Sequence, residues 1–247
     1  MALLILFLVC TICFSMENLK NVKAIIFDFG GTLDLDGVHW LNAFYLLYEK
    51  FSLPVDQASI KKVFYEADKH LERLPNRTQL TLESMIRAHV RFQFEMHGID
   101  FPEVEDSMCR ELCSTIRENF GKNRELLKWL KSRYKLGLVS NFYGNVEALC
   151  KEAGFEPFLD VIIDSGIVDL RKPDSAIFQL ALKLLEEKPE RAVFVGDSFC
   201  QDIKPAKEIG MKTIWLKTNH TAPYPGNWKE FVDVEIDTLK KLKEIFL

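Results

Sequence analysis

Short apolar runs recur along this chain, and each is separated from the next by a stretch with helical periodicity. The runs are Val22 to Phe27, Leu136 to Val139, Val161 to Ile163, Ala192 to Val195, Thr213 to Leu216 and Val232 to Ile236. Between and after them lie helical patterns over Glu125 to Tyr134, Val146 to Ala153, Ser175 to Glu187, about Gln201 to Ile209, and Leu239 to Phe246. Strands that read as continuous apolar runs are buried on both faces. Strands alternating with helices form a parallel sheet with helices on both sides.

The alternation is interrupted once. From Asp36 to about Phe120 no convincing strand appears, and apolar residues recur at helical spacing instead. Asp56 is placed to cap a second helix, Thr78 or Thr81 a third, and Pro102 opens a fourth that Gly121 is expected to close. The expectation is an α/β fold, a Rossmann-like parallel sheet with helices on both faces, with an all-helical cap domain inserted after the first strand. The core would comprise 21–35 and 121–247 and the cap 36–120.

At 247 residues the chain is long enough to bury a substantial core. Its 32 Lys and Arg against 36 Asp and Glu give a net charge of −4, with no long basic run, which argues against a nucleic-acid partner. The six cysteines form no zinc or disulfide pattern, so a reducing, cytoplasmic location is expected. Met1 to Phe14 is almost wholly apolar but short for a membrane span and without a basic n-region. Met16 is the preferred start, making 1–20 largely a mis-called leader. The alternative is a genuine secretory signal or short anchor. Oligomeric state is not readable.

The strand ends carry the chemistry. In a parallel sheet they share one edge, where open α/β folds place their ligands. The first strand ends in Asp28, the second in Ser140-Asn141, and the fourth in Gly196-Asp197-Ser198, with Asp202 five residues after Asp197. Arg171-Lys172-Pro173-Asp174 precedes a helix, with Pro173 suited to its first turn. Asp28 and Asp197 with a nearby backbone carbonyl offer hard oxygen ligands for Mg²⁺. Ser140, backbone N–H groups and Lys172 suit a phosphate. A carboxylate held beside Mg²⁺ and an ammonium stays ionised and can attack phosphorus.

With these segments together, FDFGGTLD, LVSN, RKPDSAIF and VFVGDSFCQDIKPAKEIG, the chain resembles the haloacid dehalogenase superfamily in its phosphatase-like branch. The resemblance implies Asp28 as nucleophile and Mg²⁺ ligand. It implies Lys172 steadying nucleophile and phosphate, Thr32 supporting the first motif, and Ser140 and Asn141 contacting phosphate or substrate. Asp197 and the Gly30 carbonyl are implied as metal ligands, with Asp202 behind them or as an alternative ligand. The substrate would be a small phosphorylated metabolite, and the cap would close over the site and choose it.

One position departs from that pattern. Phosphatases of the superfamily usually carry a second aspartate two residues after the nucleophile, and here it is Gly30. Loss of a positioned acid/base forfeits about 10²- to 10⁴-fold. Asp34, Asp36 and His39 lie nearby as substitutes. Three readings stay open: a hydrolase of phosphates with good leaving groups, a dehalogenase- or phosphonatase-like hydrolase, and a non-catalytic phospho-ligand binder. No cap lysine singles out the phosphonatase, although Lys50, Lys61 and Lys62 exist. Cys200 is expected to pack beside the loop of the fourth motif.

Overall fold

The computed structural model describes residues 19–218 and 226–247, so the proposed start at Met16 and the apolar leader lie outside the described residues. Six strands form one sheet: β1 (Ala24–Phe27), β2 (Lys135–Ser140), β3 (Val161–Asp164), β4 (Ala192–Gly196), β5 (Lys212–Leu216) and β6 (Val234–Ile236). Their spatial order is β3-β2-β1-β4-β5-β6, and every pairing is parallel. In the central strands β1 and β4 the side chains alternate between two fully buried faces. Ile25 and Phe27 of β1, with Val193 and Val195 of β4, join one core, while Ala24, Ile26, Ala192 and Phe194 join the other. Burial on both sides is why these strands are apolar without interruption.

Between β1 and β2 the chain is helical: α1 (Trp40–Lys50), α2 (Gln57–Glu72), α3 (Leu82–His97) and α4 (Pro102–Lys131). The Asp56 carboxylate caps α2 by accepting the Ser59 N–H at 3.0 Å, and Thr81 caps α3 in a reciprocal box with Ser84. One expectation is corrected here. Gly121 closes nothing: α4 runs through it as a single 30-residue helix. A glycine in a helix interior costs only about 1 kcal/mol. The buried stripe Ile116, Phe120, Asn123, Leu127 and Leu130 continues unbroken past it, so packing outweighs the local signal.

Beyond β2 come α5 (Val146–Ala153), a one-turn α6 (Ser165–Val168), α7 (Ser175–Leu184), the short α8 (Lys204–Glu208) and α9 (Leu242–Ile245). Pro173 does not enter the first turn of α7. Asp174 is the cap, accepting the Ala176 N–H at 2.9 Å, and Pro173 precedes it. Among the described residues no helix is long and apolar enough to cross a membrane.

Candidate active site

The register of the sheet sets the site. Phe27 pairs with Leu138 on one side and Val195 on the other, so the chain leaves β1, β2 and β4 at one edge. Asp28 N–H still donates to the Val195 carbonyl at 2.9 Å, which fixes the first residue beyond the strand. Asp197 is held from behind, its carbonyl accepting the Trp215 indole N–H at 2.9 Å.

At this edge the carboxylates of Asp28, Asp197 and Asp202 come together, each offering an oxygen within 4.8 Å of the others, and all three are buried. Lys172 reaches in from the loop before α7. Its Nζ donates to Asp28 Oδ1 and to Asp202 Oδ1, both at 2.6 Å. Burial pulls the Lys172 ammonium down in pKa, but the Asp202 and Asp28 carboxylates outweigh it and hold it above its ordinary value. Burial, then the charges of Asp28 and Asp202, raises Asp197 well above the usual carboxylate range. Burial likewise lifts Asp202 to about 6, against the pull of Lys172. One ammonium faces three buried carboxylates, so full ionisation of the cluster would leave excess negative charge. Hard oxygen donors with uncompensated charge fit a divalent cation.

Lys172 is itself anchored by Asn141. The Asn141 amide donates to the Lys172 carbonyl at 2.9 Å and to Gln201, and its Oδ1 accepts the Lys172 N–H at 2.9 Å. Both Asp202 oxygens are engaged, because Oδ2 accepts the Ser198 N–H at 3.0 Å. Thr32 is fully buried beneath the cluster, its hydroxyl within reach of Asp28 Oδ2 at 3.4 Å and Asp197 Oδ1 at 3.3 Å. Unlike Ser140 and Asn141, it is not part of the cavity wall.

That cavity has a volume of about 420 Å³. Its floor is Asp28, Gly30, Ser140, Asn141, Lys172, Asp197 and Asp202, and its roof comes from α1 and α2 through His39, Trp40, Phe64, Tyr65, Asp68, Lys69 and Glu72. Of the three residues considered as substitutes for the missing acid, only His39 lines it. Asp34 is turned away, its Oδ1 accepting the Gly31 N–H at 2.6 Å and its Oδ2 the Trp40 indole N–H at 2.7 Å. Asp36 accepts from Thr238 and the Leu239 N–H, each at 2.8 Å. Lys50, Lys61 and Lys62 are not in the wall either, whereas Lys69 is. Cys200 is exposed, not packed, because the π-helical turn Phe199–Ile203 buries Phe199 and Ile203 and leaves Cys200 outside.

Several contributors were invisible as site residues. Tyr143, on the loop after β2, donates its hydroxyl to Asp68 at 2.5 Å, and Arg171 pairs with Glu72. Both contacts join the inserted helices to the sheet edge. Asp164, the last residue of β3, accepts from the N–H groups of Gly144, Val146 and Gly166 at 2.8 to 3.0 Å and so shapes the loop carrying Phe142 and Tyr143. Its place at a strand end was a usable signal. The pairings of Tyr143 and Arg171 span 75 and 99 residues and left none.

Comparison with known proteins gives a consistent picture. Residues 22–210 match the family model described as a haloacid dehalogenase-like hydrolase. The glyceraldehyde 3-phosphate phosphatase of Pyrococcus furiosus is 33% identical over 224 residues, covering 75% of this chain and 92% of the relative. The pyrophosphatase PpaX of Bacillus cereus is 28% identical over 203 residues, covering 78% and 82%. The crystal structure of a HAD phosphatase from Thermococcus onnurineus shares the fold, with a TM-score of 0.52, 24% identity and coverage of 91% and 98%.

Proposed function

This chain belongs to the haloacid dehalogenase-like hydrolases, and we propose that it hydrolyses a small phosphorylated metabolite through an aspartyl-phosphate intermediate on Asp28. The observation that carries the reading is the Lys172 ammonium bonded at 2.6 Å to Asp28 within a buried three-carboxylate cluster at the base of a cavity. A nucleophilic carboxylate needs one held orientation and positive charge beside it, and the buried Lys172 ammonium, shared with Asp202, supplies both. The phosphatase and pyrophosphatase relatives support phosphate as the transferred group.

In this reading Asp28 attacks phosphorus in line with the departing oxygen. Lys172 carries positive charge beside the transferring oxygens, and Ser140 contributes a hydroxyl to the phosphate. Asn141 acts through Lys172, whose backbone it fixes on both sides. Asp28, Asp197 and the Gly30 carbonyl would hold Mg²⁺, with Asp202 bracing Lys172 behind them and Thr32 spacing Asp28 from Asp197. Bound there, Mg²⁺ would neutralise charge on the nucleophile and the phosphate. The helices of 36–120 would serve as the cap that excludes water and selects the substrate. A reducing, cytoplasmic setting is proposed from the sequence, whose six cysteines form no zinc or disulfide pattern.

The test is hydrolysis of an aryl phosphate with Mg²⁺ by the full chain, compared with Asp28→Asn and Gly30→Asp. The reading requires wild type to exceed Asp28→Asn by about 10³-fold or more, the scale on which loss of a nucleophile acts. Activity confined to Gly30→Asp would instead favour a phospho-ligand binder that lost turnover.

A further inference from the structure

His39 is the N-cap residue of α1, and its Nδ1 accepts the Leu41 backbone N–H at 3.2 Å. A neutral imidazole has one donor and one acceptor nitrogen. The cap uses the acceptor, so Nε2 bears the proton. No hydrogen bond to Nε2 forms among the described residues, and the ring lies in the cavity wall with Asp28 and Gly30. His39 is exposed, with its imidazole on the cavity. Partial desolvation by the surrounding protein lowers its pKa, against the opposing charges of Asp28 and Asp68.

The neighbouring residue explains why a donor is wanted there. A Cβ at Gly30 would lie 3.5 Å from the Trp40 indole nitrogen and 3.4 Å from Phe142, so these two rings flank the place where the missing acid would begin. Trp40 is itself fixed by its bond to Asp34. The chain therefore brings His39 to the same wall, one residue before the ring that borders Gly30.

We propose that His39 Nε2–H hydrogen-bonds to the oxygen leaving phosphorus, and that the substrates are phosphate compounds whose leaving oxygen departs as an anion, such as aryl, enol or acyl phosphates and diphosphates. This rests on the phosphatase reading above. In the step, an Asp28 oxygen forms a bond to phosphorus while the bond to the leaving oxygen breaks, and both electrons of that bond remain on the leaving oxygen. The Nε2 proton stays on nitrogen, because a neutral imidazole acts as an electrophilic donor and not as an acid. The released anion takes its proton from bulk water. A second water then hydrolyses the aspartyl phosphate, which frees inorganic phosphate and restores the carboxylate.

The experiment uses the full chain with Mg²⁺ and a series of aryl phosphates of graded leaving-group acidity, plus glycerol phosphate. Wild-type kcat should fall steeply as the leaving group becomes more basic. His39→Asn keeps an acceptor for the Leu41 N–H and should keep the melting temperature, yet kcat on the poorer leaving groups should drop about 100-fold with KM little changed, as when an oxyanion donor is removed. His39→Gln carries an amide N–H toward the Nε2 position and should recover to within a few-fold of wild type, with the wild-type pH profile. The proposal is overturned if His39→Asn matches wild type across the series, or if wild-type rates ignore leaving-group acidity. It is also overturned if His39→Gln stays as impaired as His39→Asn while a limb of the pH profile disappears, since that marks proton transfer. A wild-type chain no faster than Asp28→Asn on every substrate overturns the phosphatase reading, and this inference with it.

Discussion

The indole nitrogen of Trp40 donates to Asp34 Oδ2 at 2.7 Å, which ties the first residue of α1 to the loop that carries the nucleophile. Asp34 is fully buried, and burial pushes its carboxyl up to about 8 despite the bonds from Trp40 and Gly31. The folded chain therefore holds a proton that the unfolded chain releases at ordinary carboxylate pH. Stability from this group is complete below the unfolded value and is lost as pH rises toward about 8. The urea midpoint should decline over that window. Asp34→Asn should remove the decline, while costing about 1 to 3 kcal/mol at acid pH because one N–H loses its acceptor.

Gly30 and Gly31 should differ in their tolerance of the same change. Gly31 sits at φ +85°, and an added Cβ would stand 2.7 Å from Asp197 Oδ2. Gly30 has φ −71° and only ordinary contacts. Gly31→Ala should lower the melting temperature and abolish activity by displacing Asp197. Gly30→Ala should melt within a few degrees of wild type. Thermal melts and aryl phosphate assays on the pair decide it.

Lys172→Met should destabilise the metal-free chain by about 3 to 5 kcal/mol, the cost of breaking a buried pair and leaving its charges uncompensated. Denaturant titration measures this. Part of the loss should return on acidification, because protonating Asp202 and Asp197, whose pKa values already stand high, relieves the repulsion.

Mg²⁺ should raise the melting temperature of wild type, with a stabilisation of about 2.7 kcal/mol at a hundredfold excess over Kd. Asp197→Asn should abolish that rise. Asp202→Asn should weaken both the metal response and the hold on Lys172, since Asp202 Oδ1 is one of the two acceptors of its ammonium. Differential scanning fluorimetry across a Mg²⁺ series distinguishes the two variants.

The sheet was legible because its central strands β1, β2 and β4 are buried on both faces, which leaves each a nearly uninterrupted apolar run. The cluster of Asp28, Lys172, Asp197 and Asp202 was legible because parallel strands must end at one edge. The path of α4 through Gly121 was not, since the local cost of a glycine is small beside the packing of a long buried stripe. Nor could the fates of Asp34, Asp36 and His39 be separated. They lie within six residues and look equally available, yet Trp40, Thr238 and Leu239 claim the two carboxylates.

Sequence alone determined the layered α/β plan, the inserted helices and the chemical types gathered at the sheet edge, because burial periodicity and strand-end position are local properties of the chain. Only the tertiary structure decided which polar groups reach the cavity. Asp34 went inward to Gly31 and Trp40 and Asp36 to Thr238 and Leu239, while His39 was left in the cavity wall, because the way this loop folds back on α1 and packs against the C-terminal segment chose among side chains that sequence spacing could not tell apart.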